Sequence, residues 1–479
     1  MTMGVAQLES DLTRLGAVEQ RDLVRARKVS PVELLDAHLA AIARLNPVLN
    51  AIVTLCTEEA RKAARQAEDA VMRGGDLGIL HGLPVVIKDI TETAGIRTTY
   101  GSPLYADHVP DHDAEVVARL KRAGAIILGK SNTPEFAAGA STVNAVFGAT
   151  RNPWNPALSP AGSSGGSAAA VASGMVPLAQ GTDFGCSVRI PAAFCGIVGL
   201  RTTPGLIPND PMALPWDPGQ VHGPLARKAE DAALMLDAMV GLDPLWPISV
   251  APTWRSALDE VRGANDIAGL RIAYVSDIAG IGVDPEVERV CRAAVHRLAA
   301  DGARVDEIAF SAAEGREAYM TLRADWMVGQ QFERLHLLDK MGKNLAGNVR
   351  DGLEVGSRDM AAAQQVRAGL LRKFRQLFGD YDFLITPAAP VEPFPVEQGF
   401  PDSIGGVKLS NYVDWIAPAY LVTLMSLVGC SVPAGLSRSG LPVGLQIIGP
   451  RFSEPRVLGL ARHVQQVLPI GWPREDVRR

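Results

Sequence analysis

Residues 159–167 read Ser-Pro-Ala-Gly-Ser-Ser-Gly-Gly-Ser, and residues 181–191 read Gly-Thr-Asp-Phe-Gly-Cys-Ser-Val-Arg-Ile-Pro. Both stretches place serines on glycine-containing turns, directly before a segment that can start a helix. Glycine permits backbone conformations closed to other residues, and the first N–H groups of a helix lack intrahelical partners. Such a turn can present a serine hydroxyl beside free N–H groups that stabilise an oxyanion. A serine-rich helix cap explains the first stretch equally well when that stretch is considered alone.

Helical patterns and short apolar strands alternate along the rest of the chain. A capping box with proline at residues 30–33 starts a helix that we expect to end near Arg44. Further helices are predicted at 57–72, 113–122, 285–300 and 360–378. Strands are predicted at 83–88, 125–128, 176–179, 271–275, 304–310 and 382–386. This alternation predicts an α/β fold whose sheet is covered by helices on both faces.

The composition is that of a globular protein. Of 479 residues, 47% are hydrophobic and 21% charged, which argues against a disordered chain. The net charge of −5 argues against nucleic acid as a partner. Five scattered cysteines without C-x-x-C spacing exclude a zinc ribbon and indicate a reducing compartment, here the cytoplasm. The uncharged run at 416–436 is interrupted by Pro418 and Pro433, so we expect buried strands and turns instead of a membrane span.

Four weaker patterns suggest other chemistry. Residues 124–131 match a phosphate-binding loop, but the inner residues Ala-Ile-Ile-Leu are typical of a strand. The aspartates and histidines at 107–113 suit a solvated turn better than a metal site. Residues 162–166 match the nucleophile elbow G-x-S-x-G, which needs a histidine partner; His222, His296, His336 and His463 follow without distinctive context. Cys186 is an alternative nucleophile that would also require a histidine base.

Several segments together resemble the amidase signature family of serine hydrolases. They are residues 81–89 (His-Gly-Leu-Pro-Val-Val-Ile-Lys-Asp), 124–136, 152–156 (Asn-Pro-Trp-Asn-Pro), the two serine turns, 223–227 and 440–446. The resemblance implies one large α/β domain over residues 1–479 with a mixed central sheet. Within it, the resemblance implies a catalytic core segment at 60–235 and a variable, mostly helical substrate-side insertion at 241–381.

The same resemblance assigns a Ser–Ser–Lys triad. Ser187 matches the nucleophile, Ser163 the bridging serine that follows a cis peptide bond, and Lys88 the base. A buried, desolvated lysine among hydroxyls can stay neutral and accept a proton. The resemblance also implies an oxyanion hole made by backbone N–H groups, those of Phe184, Gly185, Cys186 and Ser187. We expect Ser164 to support the turn, and the opposite charges of Asp183 and Arg189 to pin it.

Some residues depart from the family pattern or lie outside it. Cys186 and Ala161 stand where many members have glycine, and Phe184 is larger than the usual residue. The resulting hypothesis is that Cys186 and Phe184 reshape the pocket. A Pro- and Gly-rich loop at 206–223 has no regular pattern, and loops of that length are often functional. We expect Met212, Leu214 and Trp216 to form an apolar lid.

The function that the resemblance implies is hydrolysis of amide C–N bonds through an acyl-enzyme, with aryl amides, carbamates and some esters as further substrates. Two alternatives stay open. One is the A subunit of a glutamine-dependent tRNA amidotransferase, although residues 315–372 contain no Tyr-Asp-Gly-x-Arg string. The other is an inactive binding protein on the same fold. We expect a small-molecule amide or carbamate as partner, no cofactor, no metal, no nucleic acid and no membrane, and a monomer or homodimer.

Overall fold

The computed structural model describes residues 12–409 and 411–473. Its centre is a sheet of eleven strands in the order β1-β3-β2-β6-β8-β7-β14-β15-β11-β9-β10. Their bounds are β1 Ile52–Leu55, β2 Pro84–Lys88, β3 Ile126–Ser131, β6 Leu178–Asp183, β7 Val198–Arg201, β8 Val221–Ala226, β9 Arg271–Tyr274, β10 Arg304–Glu307, β11 Phe383–Pro387, β14 Val428–Leu436 and β15 Pro442–Gly449. Two hairpins pair β4 Val143–Asn144 with β5 Gly148–Ala149 and β12 Ser403–Ile404 with β13 Val407–Lys408.

The sheet is mixed, as predicted. The pairs β2–β3, β2–β6, β9–β11 and β9–β10 are parallel. The pairs β1–β3, β6–β8, β7–β8, β7–β14, β14–β15 and β11–β15 are antiparallel. Because β2 and β6 are adjacent and parallel, their carboxyl ends meet at the same edge of the sheet.

Fourteen α-helices in the described residues surround this sheet. They are α1 Ala17–Arg25, α2 Pro31–Leu49, α3 Thr57–Arg73, α4 Glu115–Arg122, α5 Gly165–Ala172, α6 Arg189–Cys195, α7 Ala229–Met239, α8 Ala257–Gly263, α9 Pro285–Ala300, α10 Gly315–Gln331, α11 Lys343–Leu353, α12 Ser357–Asp380, α13 Ala417–Leu424 and α14 Glu454–Val467. Short 3₁₀ helices occur at Pro103–Tyr105, Glu135–Ala137, Phe332–Lys340 and Asp414–Ile416.

Helices cover both faces of the sheet. Alternate residues of β2 contact the helices on opposite faces. Val85 and Ile87 join the apolar cluster that includes α7, α9 and α14. Val86 joins the cluster on the other face, with α2, α3 and α5. Because side chains alternate along a strand, Lys88 lies on the same face as Val86 and therefore faces α5. The fold thus directs the lysine towards the first serine turn.

Several element boundaries differ from the sequence predictions. Helix α2 begins at the predicted capping box, where Ser30 accepts from the Glu33 N–H group, but it continues to Leu49 through Pro47. The run at 416–436 begins with a buried helix, α13, and only its second half is a strand. Within the residues that the structure describes, no helix is long and apolar enough to cross a lipid bilayer.

The segment at 241–381 contains five helices, α8 to α12, but it also supplies strands β9 and β10 to the edge of the main sheet. Strand β9 pairs with β11 in parallel register, Phe383 opposite Ile272 and Leu384 opposite Ala273. The segment is therefore integrated into the single domain, which agrees with the predicted fold class.

Candidate active site

Lys88 ends strand β2, and its ammonium nitrogen lies among hydroxyl groups. Lys88 Nζ is 2.6 Å from Ser163 Oγ and donates to Thr182 Oγ1 at 2.9 Å. Ser163 belongs to the first serine turn, whereas Thr182 lies near the end of β6, the strand parallel to β2. The main chain of Lys88 is held as well, because its N–H group donates to Gln180 Oε1. Gln180 Nε2 in turn is 2.8 Å from His222 Nδ1. Gln180 and His222 therefore hold the main chain of Lys88 in place.

The Lys88 side chain is completely buried, and no carboxylate within residues 12–409 and 411–473 bonds to it directly. Burial penalises the charged form and lowers the pKa of Lys88 to about 7, although the negative charge of Asp183 raises it. A lysine with this pKa is largely neutral in mildly alkaline solution. It can then accept a proton from the Ser163 hydroxyl.

The two serine turns lie against each other at the sheet edge. The Gly162–Ser163 peptide bond is cis, as the family resemblance predicts. The Ser164 N–H group donates to the Ser187 carbonyl at 3.1 Å, which joins the turns directly. The Ser164 hydroxyl donates to the Thr182 carbonyl. Ser187 is 9% exposed and lines the same cavity as Ser163.

Close packing of the first turn explains one of its glycines. A Cβ atom on Gly166, in the first turn of α5, would lie 2.4 Å from the Asn132 nitrogen and 2.7 Å from the Ala51 carbonyl oxygen. Helix α5 can therefore approach the main chain of its neighbours only with glycine at this position. The approach holds the first turn of α5, and with it the adjacent Ser163, against the sheet.

The loop between β6 and α6 carries four consecutive N–H groups that have no hydrogen-bond partner within residues 12–409 and 411–473. They belong to Phe184, Gly185, Cys186 and Ser187. The next N–H group, that of Val188, donates to Asp183 Oδ2 at 3.0 Å. Unpaired N–H groups beside a serine hydroxyl are the donors that an oxyanion requires.

A buried ion cluster holds this loop. Arg189 Nη2 donates to Asp183 Oδ1 at 2.7 Å and to the Gly185 carbonyl at 2.9 Å, and Arg201 Nη1 lies 3.3 Å from the same carboxylate. Burial raises the pKa of Asp183, but Arg189 and Arg201 beside it lower that pKa to about 2. Arg189 also donates to Gln446 on β15 at 2.7 Å, so the loop is anchored to the far half of the sheet. Sequence patterns did not point to Arg201.

The site has two adjoining chambers, and the inner one contains both serines. The inner chamber is a cavity of about 40 Å³ that contains Ser163, Ser187 and the loop from Phe184 to Cys186. The outer chamber, of about 300 Å³, contains His222, Met212 and Arg334. The chambers share five lining residues, Phe136, Thr182, Gln220, Trp326 and Met327.

Helix α10 supplies a wall of the inner chamber that the sequence patterns did not reveal. Tyr319, Arg323 and Trp326 line the chamber. Their spacing of i, i+4 and i+7 is that of one helix face, and this periodicity was the signal available in the sequence. Phe184 stacks on Trp326 with ring centres 4.2 Å apart, so the oxyanion loop packs against this wall.

The expected lid is only partly in place. Residues 202–220 form a loop between β7 and β8. Met212 lines the outer chamber, and Leu214 packs against the cluster that includes Trp326 and Met327. Trp216 is 73% exposed and lines neither chamber, so its predicted place in the lid is wrong. The loop has no regular pattern of apolar residues, so its sequence does not show which of its side chains face solvent.

The structure does not support the competing patterns. Cys186 is buried, its thiol donates to the Gly162 carbonyl, and burial raises the pKa of that thiol. Ser164 of the elbow pattern bonds to Thr182 and, among the described residues, to no histidine. Residues 126–131 form a buried strand, with Lys130 bonded to Thr93 and Thr98. Among the described residues, no group of histidine, cysteine, aspartate or glutamate side chains can hold a metal ion.

Comparisons with known proteins show which family the chain resembles over most of its length. A model of the family described as Amidase matches residues 33–458. The A subunit of the glutamyl-tRNA(Gln) amidotransferase of Methylococcus capsulatus is 38% identical over 474 residues, which cover 92% of this chain and 94% of that protein. An acylamidase of Rhodococcus erythropolis is 36% identical over 471 residues, covering 96% and 97%.

Solved structures show the same fold. The structure of 6-aminohexanoate cyclic dimer hydrolase complexed with substrate has a TM-score of 0.87 and 28% identity, covering 98% of this chain and all of that chain. A bacterial aryl acylamidase of the amidase signature family has a TM-score of 0.86 and 26% identity, covering 97% of both chains. The extent of these matches shows that this chain is a member of the amidase signature family of hydrolases.

Proposed function

We propose that this protein hydrolyses the C–N bond of amides through an acyl-enzyme formed on Ser187. The observation that carries the proposal is the buried Lys88, 2.6 Å from Ser163 Oγ in the cavity that also contains Ser187. Burial of a lysine that bonds to no carboxylate among the described residues costs stability, and buried groups with strongly shifted pKa values occur most often at functional sites. A neutral lysine beside two serines and four free N–H groups forms a complete set for acyl transfer.

Acylation begins with proton transfer along the hydroxyls. Ser187 Oγ attacks the amide carbonyl carbon while its proton passes to Ser163 Oγ, whose own proton passes to neutral Lys88. The carbonyl oxygen becomes an oxyanion, and the N–H groups from Phe184 to Ser187 donate to it. Removal of one preorganised donor of this kind costs about 3–4 kcal/mol of transition-state stabilisation.

Collapse of the tetrahedral intermediate reverses the proton path. Ser163 donates its proton to the leaving nitrogen and regains one from Lys88, so the C–N bond breaks with release of a neutral amine. Water then attacks the acyl carbon of Ser187 and gives a proton to the same relay. The carboxylic acid leaves, and Ser187 and Lys88 return to their starting states.

The reaction as written requires a carbonyl carbon that Ser187 can attack and a leaving atom that Ser163 can protonate. We therefore include aryl amides, carbamates and some esters among the substrates, because each presents a carbonyl carbon with a leaving nitrogen or oxygen. The outer chamber of about 300 Å³ is large enough to hold an aromatic leaving group. We further propose a cytoplasmic protein, since all five cysteines are buried free thiols. We also propose that the protein is a monomer or homodimer.

A panel of four substrate types tests this proposal: p-nitroanilides, aryl carbamates, primary amides and p-nitrophenyl esters. We expect the wild type to hydrolyse at least the amides, and Ser187→Ala to lose about 10⁴-fold or more in kcat. Ser439→Ala, on a turn at the protein surface, is the matched control and should keep full activity. Equal activity of Ser187→Ala and wild type would contradict the assigned nucleophile. Absence of turnover for the whole panel would favour the inactive binding protein.

The alternative function, that of an ammonia-donating A subunit in a tRNA amidotransferase, is favoured by the 38% identity to the Methylococcus capsulatus protein. That activity would require hydrolysis of glutamine, coupled to a partner that receives ammonia. Glutaminase activity that rises when partner proteins and tRNA are added would establish it. Hydrolysis of other amides by the isolated chain, without glutaminase activity, would establish the simple amidase.

A further inference from the structure

A buried histidine lies where the outer chamber meets the reacting groups. Of the four histidines that follow the first serine turn, all within the described residues, His222 alone lines either chamber. His222 is on β8, directly opposite Thr182 on β6, so the two side chains share one face of the sheet. The Thr182 hydroxyl accepts from Lys88 Nζ at 2.9 Å, and Thr182 lines both chambers. His222 is therefore one side chain away from the base.

Hydrogen bonds assign the two ring nitrogens of His222. Gln180 Oε1 accepts from the Lys88 N–H group and from the Thr91 hydroxyl, so Nε2 of the same amide is a donor. His222 Nδ1, which is 2.8 Å from Gln180 Nε2, is then the acceptor, and the proton of the neutral ring lies on Nε2. Within residues 12–409 and 411–473, His222 Nε2 has no hydrogen-bond partner. The ring thus keeps one donor for a ligand of the outer chamber.

The same contacts show that His222 is not a base. Burial, together with the positive charge of Lys88, lowers the pKa of His222 to about 3, so the ring is neutral wherever Lys88 is neutral. The basic lone pair of the neutral ring is on Nδ1, and Gln180 already occupies it. No carboxylate of the described residues bonds to the ring, unlike the histidine of a Ser–His–Asp triad. His222 can therefore donate a hydrogen bond but cannot take a proton from a serine.

Deacylation is the step in which a donor at this place is useful. Under the proposed function the leaving group occupies the outer chamber, so its departure opens that chamber to water. One lone pair of the water attacks the acyl carbon, and one of its protons goes to the relay. The other lone pair is free to accept from an N–H group, and this bond fixes the direction of the attack. A water held in this way reaches the transition state with a smaller loss of freedom.

We propose that His222 is the positioning residue for the hydrolytic water, and that its Nε2–H group donates to the oxygen of that water. The inference rests on the proposed function, because it requires an acyl-enzyme on Ser187. The water oxygen bonds to the acyl carbon while its proton passes to Ser163 Oγ and the Ser163 proton passes to neutral Lys88. The bond between the acyl carbon and Ser187 Oγ then breaks, and a proton returns through Ser163 to Ser187. His222 keeps its own proton throughout.

Two substitutions separate the donor from the contact with Gln180. His222→Asn retains an acceptor at the position of Nδ1 but has no atom at the position of Nε2. His222→Gln can place an amide nitrogen, a donor, at the position of Nε2. His296→Asn is the matched control, because the His296 side chain is 65% exposed and lines neither chamber.

The assay is hydrolysis of a p-nitrophenyl ester, for which acylation is fast and deacylation limits kcat. In His222→Asn we expect kcat and KM to fall together by about tenfold, the effect of one lost hydrogen bond to a reacting group. The ratio kcat/KM, which reports acylation, should stay within about threefold of the wild type. His222→Gln should recover about a third or more of kcat, and His296→Asn should change neither constant.

Hydroxylamine provides a second measurement, with an amide as substrate. This stronger nucleophile competes with water for the acyl-enzyme and gives a hydroxamate instead of the acid. Because its attack depends less on an orienting hydrogen bond, the ratio of hydroxamate to acid should rise about tenfold in His222→Asn. A ratio equal to that of the wild type would overturn the inference.

The remaining outcomes separate this inference from the proposed function. Equal losses of kcat and kcat/KM in both His222 variants would indicate a structural role alone and overturn the inference. A fall in kcat/KM with kcat unchanged would place the donor on the leaving group and overturn it as well. Both results leave amide hydrolysis intact. Absence of an acyl-enzyme in the wild type, measured by intact-mass spectrometry during turnover, would instead overturn the proposed function and this inference together.

Discussion

The substitution Thr182→Val tests whether Lys88 acts as a neutral base. The Thr182 hydroxyl accepts a hydrogen bond from Lys88 Nζ at 2.9 Å, in a site where burial holds the pKa of Lys88 at about 7. A hydrogen bond to a charged group is about twice as strong as a neutral one, so its loss should disfavour the protonated lysine by about 1 kcal/mol. That energy corresponds to a pKa lower by about 0.7 units. The pH range over which activity falls as Lys88 becomes protonated should therefore move to more acidic pH.

The assay is the pH dependence of kcat/KM for an uncharged amide between pH 5 and pH 9. Because only the neutral lysine accepts a proton, wild-type activity should be lost as the pH falls through about 7. In Thr182→Val the ratio of activity at pH 6 to that at pH 9 should rise about fourfold, as the neutral fraction at pH 6 increases. Thr386→Val is the matched control, since the Thr386 hydroxyl is also buried but has no partner in the described residues. An unchanged pH dependence in Thr182→Val, or a shift to alkaline pH, would refute the assigned base.

Three further predictions concern the surroundings of the serines. Asp183→Asn leaves two buried arginines without their counter-ion and should lower the free energy of unfolding, measured by urea titration, by about 3–5 kcal/mol. The control Asp339→Asn changes an exposed ion pair and should leave the free energy of unfolding unchanged. Equal stability of both variants would contradict the stabilising role of the buried ion cluster. Met212→Ala should change the order of kcat/KM values for bulky and small substrates, because Met212 lines the outer chamber. Trp216→Ala, at an exposed side chain, is the control and should not change that order. An unchanged order in Met212→Ala would exclude a lid role for Met212. Cys186→Ala should keep kcat within about tenfold because the buried thiol takes no part in acyl transfer; a loss near that of Ser187→Ala would reverse this assignment.

The fold was largely predictable because its signals are local. The alternation of helical and strand patterns, with the capping box at Ser30, located most elements to within a few residues. The errors occurred where tertiary packing overrides local preference. Helix α2 passes through Pro47, and α13 is a helix in an uncharged run that resembles buried strand. The order of the eleven strands depends on contacts between residues that are far apart in the sequence. A local hydrophobic periodicity cannot specify such contacts.

The residues of the site also fall into two groups, those that the sequence predicted and those that only the structure revealed. Ser163, Ser187 and Lys88 occur in short segments whose glycines and spacing resemble a known family, and the structure brings Lys88 to Ser163. Arg323 and Tyr319 come from a region with little resemblance to the family. Their place in the wall of the inner chamber depends on how α10 packs in the folded chain, which is not visible in the sequence. The family resemblance therefore predicted the reaction class, whereas the lining of the inner chamber required the folded structure.

The measurement that tests the central claim most directly is the identification of the residue that becomes acylated. The chain is treated with a fluorophosphonate, digested, and the labelled peptide is mapped by tandem mass spectrometry. We predict a single adduct on Ser187 that is absent in Ser187→Ala and that forms more slowly below pH 7, where Lys88 is protonated. An adduct on Ser163 or Cys186, or labelling of Ser187→Ala at the wild-type rate, would contradict the account.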